Sequence, residues 1–201
     1  MSLPAFYADA PRIPMRDPLA ELLGAAEGGV MEYGYADAVR LAGHSCPTVA
    51  GAWLMARAAL RALYPDAPAE RGAIAVTMNA AEDEGTTGVI AQVLTLITGA
   101  TGNNGFHGLA GRHDRRGLLA YDGTDRSSVA HLRRLDTGAA VAASMDLSHV
   151  APAPQMRALL VRALAPEASD ADRRAFGTTW QERVRRLLLE HADDVGVIRA
   201  L

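Results

Sequence analysis

The sequence contains no lysine, so all 20 of its positively charged side chains are arginines. This absence excludes reactions that pass through a lysine Schiff base and phosphate-binding loops that depend on a lysine. The chain has a single cysteine, Cys46, and therefore cannot form an intrachain disulfide. No apolar run is long enough for a membrane span, and none follows a basic segment as in a signal peptide. We therefore expect a cytoplasmic protein that does not associate with membranes.

The formal net charge is only −3, and acidic and basic residues are interspersed along the chain. Such a sequence has no basic face for a phosphate backbone, so we do not expect nucleic acid as a partner. A length of 201 residues with 49% hydrophobic composition is enough for one globular domain with a sizeable core. Within it we predict an N-terminal arm and short helix over 1–32, a core over 33–150, and a C-terminal helical extension over 151–201 packed on that core.

Apolar periodicity predicts the order of the helices and strands. The predicted helices of the core cover 47–64 and 86–98, and both are apolar enough to be largely buried. Strands are predicted at 72–78, 117–121, 129–135 and 139–146, and two helices follow them. Residues 1–16 contain three prolines and are predicted to be irregular. This order predicts an α+β fold, with an α-β-α-β-β-β core in which helices cover a mixed or antiparallel sheet.

One corner of the predicted core carries the residues best suited to chemistry. Cys46 follows His44 by two residues and precedes Pro47, which suits the first position of a long helix. A thiol at that helix N-terminus faces free backbone N–H groups, which favour the thiolate that binds metals or attacks electrophiles. The alternative is structural, because a free cysteine is often a small buried hydrophobic residue and a nearby histidine often belongs to the core.

A second candidate region is the glycine-rich loop over 101–111, which follows the second core helix. Asn103, Asn104 and Gly105 lie in this loop and are candidate cofactor-binding residues, because glycines allow a ligand to approach the backbone closely. The loop lacks the glycine order of a dinucleotide-binding fingerprint and follows a helix instead of a strand. An ordinary glycine-rich turn is the alternative. His107 is the potential metal ligand within it.

Two segments carry a resemblance to a known family. Gly43-His44-x-Cys46-Pro47-x-x-x-Gly51 and the stretch from Thr98 to Gly105 resemble the FmdE-like proteins, a family named after a component of formylmethanofuran dehydrogenase. The resemblance covers roughly residues 33–147. It implies the family's α-β-α-β-β-β core and a metal held near the His-x-Cys corner. The parent enzyme is a molybdenum or tungsten complex of one-carbon metabolism.

The chain also departs from that family's pattern. Ala42 stands where members often have a further histidine, and Ala100 stands where they usually have a cysteine. The cysteine-rich zinc-ribbon tail of many members is replaced by arginine-rich helices. We therefore predict His44, Cys46 and His107 as the metal ligands, with His107 replacing the missing cysteine. Thiolate and imidazole donors suit zinc, or another divalent transition metal such as nickel.

Three classes of function remain open from the sequence. The first is a metal-binding enzyme or enzyme-like protein with one coordination position open for a small ligand. In that class Asp83 or Glu84 is a possible fourth ligand or general base, and the catalytic candidates are Cys46 and Glu84. The second is a non-catalytic accessory protein that binds a pterin-like or metal-containing cofactor. The third is a metal-free enzyme in which His44 activates Cys46 as a nucleophile.

The last predicted helix suggests an oligomer. Its apolar residues fall on one stripe and include Trp180 and Val184, whereas its arginines lie elsewhere. Because the stripe extends beyond the core motif, and two-fold pairs are the commonest oligomers, we predict a homodimer.

Overall fold

The structure is a computed structural model that describes residues 3–121 and 123–201. Its helices are α1 (Pro18–Leu22), α2 (Tyr35–Ala42), α3 (Pro47–Leu63), α4 (Thr87–Thr98), α5 (Met156–Leu164) and α6 (Asp170–Glu190). Its strands are β1 (Ile13–Arg16), β2 (Val30–Tyr33), β3 (Ala69–Glu70), β4 (Ile74–Met78), β5 (Leu119–Ala120), β6 (Ala130–Arg134), β7 (Ala140–Met145) and β8 (Ile198–Ala200).

The main sheet has five strands in the order β5-β4-β6-β7-β8. β5 runs parallel to β4, whereas every other neighbouring pair is antiparallel, so the sheet is mixed. A smaller sheet has the order β2-β1-β3. Helices α3 and α4 pack against each other, and α3 also contacts the main sheet and α6. The predicted α+β fold is confirmed, and all four predicted strands are present with shorter bounds.

The core lies between α3, α4 and the main sheet. Alternate residues of β4 are buried, including Ile74 and Met78, as expected for a strand with one face against helices. On α3, Trp53, Leu54 and Met55 are all fully buried although they are consecutive. Consecutive residues of a helix point to different sides, so this part of α3 must be surrounded by other elements, which explains why it lies at the centre of the molecule.

The structure differs from the prediction at the N-terminus and adds a strand near the C-terminus. The arm predicted to be irregular contains β1, in which Ile13 and Met15 are buried. Pro14 had argued against a strand, but it lies outside the residues of β1 that pair with β3, so its missing N–H breaks no ladder bond there. β8 was also missed, because three residues give too short a pattern to detect.

Helices α3 and α4 begin at the same end of the sheet. Near the start of α3, a side chain on Gly51 would meet the sulfur of Met145, which ends β7 at the same end of the sheet as the last residue of β4. At the opposite end, the Thr98 carbonyl at the C-terminus of α4 accepts a 2.7 Å hydrogen bond from Gly72, just before β4. Cys46 therefore lies at one end of the α3–α4 pair, and the glycine-rich loop begins at the other end.

In the part of the chain that the structure describes, no helix combines the length and the apolar character needed to cross a membrane.

Candidate functional site

The corner between α2 and α3 has the geometry that the sequence predicts. Gly43 ends α2 in the left-handed conformation, with φ of 71°, which a glycine adopts without strain. Cys46 is the N-cap of α3, and its sulfur lies 3.5 Å from the backbone nitrogen of Val49. Pro47 occupies the first helical position. The thiol thus lies at the N-terminus of a helix of 17 residues and is half-buried.

His44 is exposed beside this thiol, and one of its ring nitrogens is already engaged. Its Nδ1 lies 2.9 Å from the carbonyl oxygen of Ala42. A carbonyl oxygen only accepts, so Nδ1 carries the proton and Nε2 of the neutral ring has a free lone pair. Histidines that bind metals usually donate their other N–H to a carbonyl or carboxylate in this way. The arrangement therefore suits metal binding through Nε2.

Ser45, between the two donors, belongs to a network with four side chains from distant parts of the chain. Its Oγ lies 2.9 Å from the hydroxyl of Tyr35 and donates to Oε1 of Gln181 at 3.1 Å. Tyr7 donates to the same Oε1 at 3.0 Å. The Ser45 carbonyl accepts from Nε1 of Trp180 at 3.0 Å and from Nε2 of Gln181 at 3.2 Å. We name these five residues the Ser45 network.

The direction of every hydrogen bond in the Ser45 network can be assigned. Burial raises the pKa of both Tyr35 and Tyr7 above the ordinary value, so both phenols stay protonated. Because the Ser45 hydroxyl donates to Gln181, the hydroxyl of Tyr35 donates to Ser45. A network in which each donor has a defined acceptor restricts the corner to one conformation. No local pattern in the sequence indicates this network, since its members are up to 174 residues apart.

Replacing Gln181 by glutamate should loosen the corner. The substitution puts a carboxylate oxygen opposite the Ser45 carbonyl, where an N–H now donates, and we expect a cost of about 1–3 kcal/mol in unfolding free energy. The Cys46 thiol should also react faster with a disulfide reagent. The matched control is Tyr7→Phe, which removes one donor to Gln181 but keeps both hydrogen bonds between Gln181 and Ser45. A thiol that reacts no faster in Gln181→Glu than in the wild type would show that the network does not restrain the corner.

The glycine-rich loop is attached to the C-terminal end of α4. The backbone N–H of Thr101 donates to the Arg115 carbonyl at 3.1 Å, and that of Arg115 donates to the Phe106 carbonyl at 2.9 Å. His107 is exposed, and its ring lies 5.8 Å from the ring of Phe106. The loop therefore folds over its own base.

A cleft of about 730 Å³ lies between α4, the glycine-rich loop and the end of α2. Its lining residues are Leu41, Arg71, Glu82, Gln92, Thr95, Leu96, Thr101, Gly102, Asn103, Asn104, Leu119 and Tyr121. Two of the predicted cofactor-binding residues, Asn103 and Asn104, are among them, whereas Gly105 packs against Thr101. Leu41 precedes His44 by three residues, which span at most about 11 Å. The cleft is thus close to the corner.

A buried ion cluster fixes one side of the cleft. Asp17, which is 3% exposed, accepts from Arg71 at 3.0 Å and from Arg115 at 2.7 Å. Burial alone raises the pKa of the Asp17 carboxyl, but the two arginines and the Ala20 N–H outweigh burial, so the pKa lies below its ordinary value. Arg71 also donates to the Leu96 carbonyl and thereby ties the cluster to α4.

The predicted metal ligands are not all together in one chain. His44 and Cys46 share the corner, but His107 lies on the loop that leaves the other end of the helix pair. Among residues 3–121 and 123–201, no group of three or more His, Cys, Asp or Glu side chains could hold a metal ion. Glu84 is exposed and lies 3.5 Å from Arg126, and Asp83 is exposed on the same loop before α4.

The chain matches no family model, and no curated protein matches it. The corner, the Ser45 network and the cleft are therefore the features on which a function can be argued. Together they place an imidazole and a thiol, two residues apart, near a space large enough for a small molecule.

Proposed function

We propose that this protein binds a divalent transition metal through His44 and Cys46, as a member of the FmdE-like family related to formylmethanofuran dehydrogenase. The observation that carries the proposal is the Nδ1 bond of His44 to the Ala42 carbonyl, which leaves the Nε2 lone pair free two residues before an N-cap thiol. One imidazole and one thiolate form a borderline-soft donor set that suits zinc or nickel and poorly suits magnesium or calcium.

His44 and Cys46 are suitable donors for such a metal, but they do not complete its coordination. Two protein donors are fewer than the three that catalytic zinc sites use, and His107 is our proposed third ligand. A metal held there with an open position supplies Lewis-acid activation of a bound water or substrate. The backbone N–H of Val49 stabilises the Cys46 sulfur, and the Ser45 network holds both donors in place. Asp83 and Glu84 lie on an exposed loop and are proposed as a fourth ligand or a general base.

A second candidate function is binding of a cofactor without turnover. It is favoured by the cleft, whose volume of about 730 Å³ falls within the range of small-molecule sites. Asn103, Asn104 and Gln92 offer amide groups there, and Leu41, Leu96 and Leu119 offer an apolar wall. Such a lining suits a polar heterocyclic ligand. In that case the metal held by His44 and Cys46 would form part of the binding site for this ligand.

The proposal includes a homodimer in the cytoplasm. A free thiolate ligand requires a reducing compartment, which the cytoplasm provides. The stripe on α6 that suggested a dimer is largely used inside the chain, since Val184, Leu187 and Leu188 are buried and Trp180 binds Ser45. The homodimer is therefore proposed from the predominance of two-fold pairs among oligomers and not from α6.

The test is metal analysis of protein purified anaerobically, together with thiol reactivity measured with and without a chelator. We expect bound zinc or nickel, and a Cys46 thiol that reacts faster once the chelator has removed the metal. His113 lies in the same loop region, and His113→Ala should leave the metal content unchanged. Protein without metal, whose thiol reacts identically in both conditions, would exclude the metal and favour Cys46 as a metal-free nucleophile activated by His44.

A further inference from the structure

The buried ion cluster beside the cleft carries more positive than negative charge. The guanidinium groups of Arg71 and Arg115 both bind the carboxylate of Asp17, and within the part of the chain described neither pairs with another carboxylate. Two guanidinium groups and one carboxylate leave a net charge of +1. A positive charge with little access to water is costly unless an anion accompanies it. The cluster therefore favours an anion on the side where it can be reached.

Arg71 connects this cluster to the cleft. Its side chain lines the cleft and is 23% exposed, whereas Arg115 is only 5% exposed. Its Nε and Nη2 donate to the Leu96 carbonyl at 3.3 Å and 3.2 Å, and its Nη1 donates to Asp17 at 3.0 Å. A guanidinium has five N–H groups, so one N–H on each Nη atom is not used by the residues that the structure describes. Arg71 is thus held in place and keeps two donors for a ligand.

The cleft lining also contains a carboxylate, that of Glu82, but it does not balance this charge. Glu82 lies near the start of α4, since a side chain on Gly88 would come within 3.1 Å of its carbonyl oxygen. Arg71 binds the carbonyl of Leu96, eight residues beyond Gly88, and these residues span about 12 Å of helix. No ion pair joins Arg71 to Glu82 among the described residues. The cleft is therefore positive at one end and negative at the other.

We propose that the cleft binds a heterocyclic ligand that carries a carboxylate or phosphate group, with this anionic group at Arg71. The inference rests on the cofactor-binding function proposed above for the cleft and does not depend on the metal. Charge-assisted hydrogen bonds from Arg71 hold the anionic group, which offsets the excess charge of the cluster. The amides of Asn103 and Asn104 offer donors and acceptors to the ring, and Leu119 offers an apolar surface.

Pairs of probes that share a ring but differ in charge test this inference. Nicotinate and nicotinamide differ by a carboxylate, and adenosine 5′-monophosphate and adenosine differ by a phosphate. Calorimetric titration at constant ionic strength measures the four affinities. We expect the anionic member of at least one pair to bind at least about tenfold more tightly than its neutral partner. The pair that shows this preference distinguishes a carboxylate ligand from a phosphate ligand.

Two kinds of variant locate the anionic group. Arg71→Gln should abolish the preference for the anionic probe, but it also breaks the bond to Asp17. Thr95 lines the cleft next to Leu96, and its substitution leaves the ion cluster intact. Thr95→Glu adds a carboxylate that competes with the ligand for Arg71, so this variant should also lose the preference. Thr95→Gln has the same size without the charge and should keep it.

The outcomes separate this inference from the function on which it rests. Equal affinities within each pair contradict the anionic group at Arg71 but leave binding of a heterocyclic ligand in the cleft. A preference that persists unchanged in Thr95→Glu also contradicts the anionic group at Arg71. Failure of all four probes to bind contradicts both the anionic ligand and the cofactor-binding function of the cleft.

Discussion

Replacing Asp17 by asparagine should lower the free energy of unfolding by about 3–5 kcal/mol, as expected when one partner of a buried ion pair is removed. The substitution leaves the guanidinium groups of Arg71 and Arg115 without their carboxylate, and Arg115 is only 5% exposed. One of the two Nη atoms of Arg115 already lacks a hydrogen-bond partner. Asparagine remains a good N-cap, so the capping of α1 is preserved and the loss reports the charge.

The measurement is urea unfolding at neutral pH followed by circular dichroism. The control is Asp114→Asn, which removes an exposed carboxylate paired with Arg116 and should leave the unfolding midpoint nearly unchanged. Because the pKa of Asp17 is lowered in the folded state, its contribution is present above the carboxyl's ordinary pKa of about 3.9 and is lost as the pH falls further. The stability difference between wild type and Asp17→Asn should therefore shrink in acid. A difference below about 1 kcal/mol at neutral pH would mean that the cluster is not a stabilising ion pair.

Replacing Cys46 by serine should weaken metal binding by more than about 100-fold, because loss of a ligand exceeds the effect of losing a residue that only orients one. Serine is itself a favoured N-cap, so α3 should keep its start and the substitution isolates the sulfur. His44→Ala should also weaken binding strongly. His113→Ala should not, since His113 lies in the glycine-rich loop region away from the corner. Competition with a coloured chelator measures the four affinities side by side.

Sequence patterns predicted the elements whose signals are local. Pro47 and the apolar run behind it were enough to place the start of α3 and to make Cys46 its N-cap. Alternation and turn residues located β4, β6 and β7 within two residues. The short strands were harder to predict, since β1 has four residues with a proline and β8 has three.

The features that shape the candidate site depend on contacts between distant residues. Nothing in the sequence around Ser45 indicates that Gln181, 136 residues away, accepts a hydrogen bond from its hydroxyl. Asp17 caps the neighbouring helix α1, but its two arginine partners lie 54 and 98 residues further along the chain. The position of His107 was equally inaccessible, because a glycine-rich loop has no hydrophobic periodicity from which its direction can be inferred.

The most direct test of the metal at the corner is titration of the metal-free protein with Co²⁺, followed by absorption spectroscopy. Cobalt accepts the same thiolate and imidazole ligands as zinc, and a cobalt–thiolate bond absorbs in the near ultraviolet. We predict this charge-transfer absorption in the wild type and its loss in Cys46→Ser, with the tetrahedral visible bands weakened in His44→Ala. A wild-type spectrum without the thiolate absorption, or one that Cys46→Ser leaves unchanged, would contradict the proposed site.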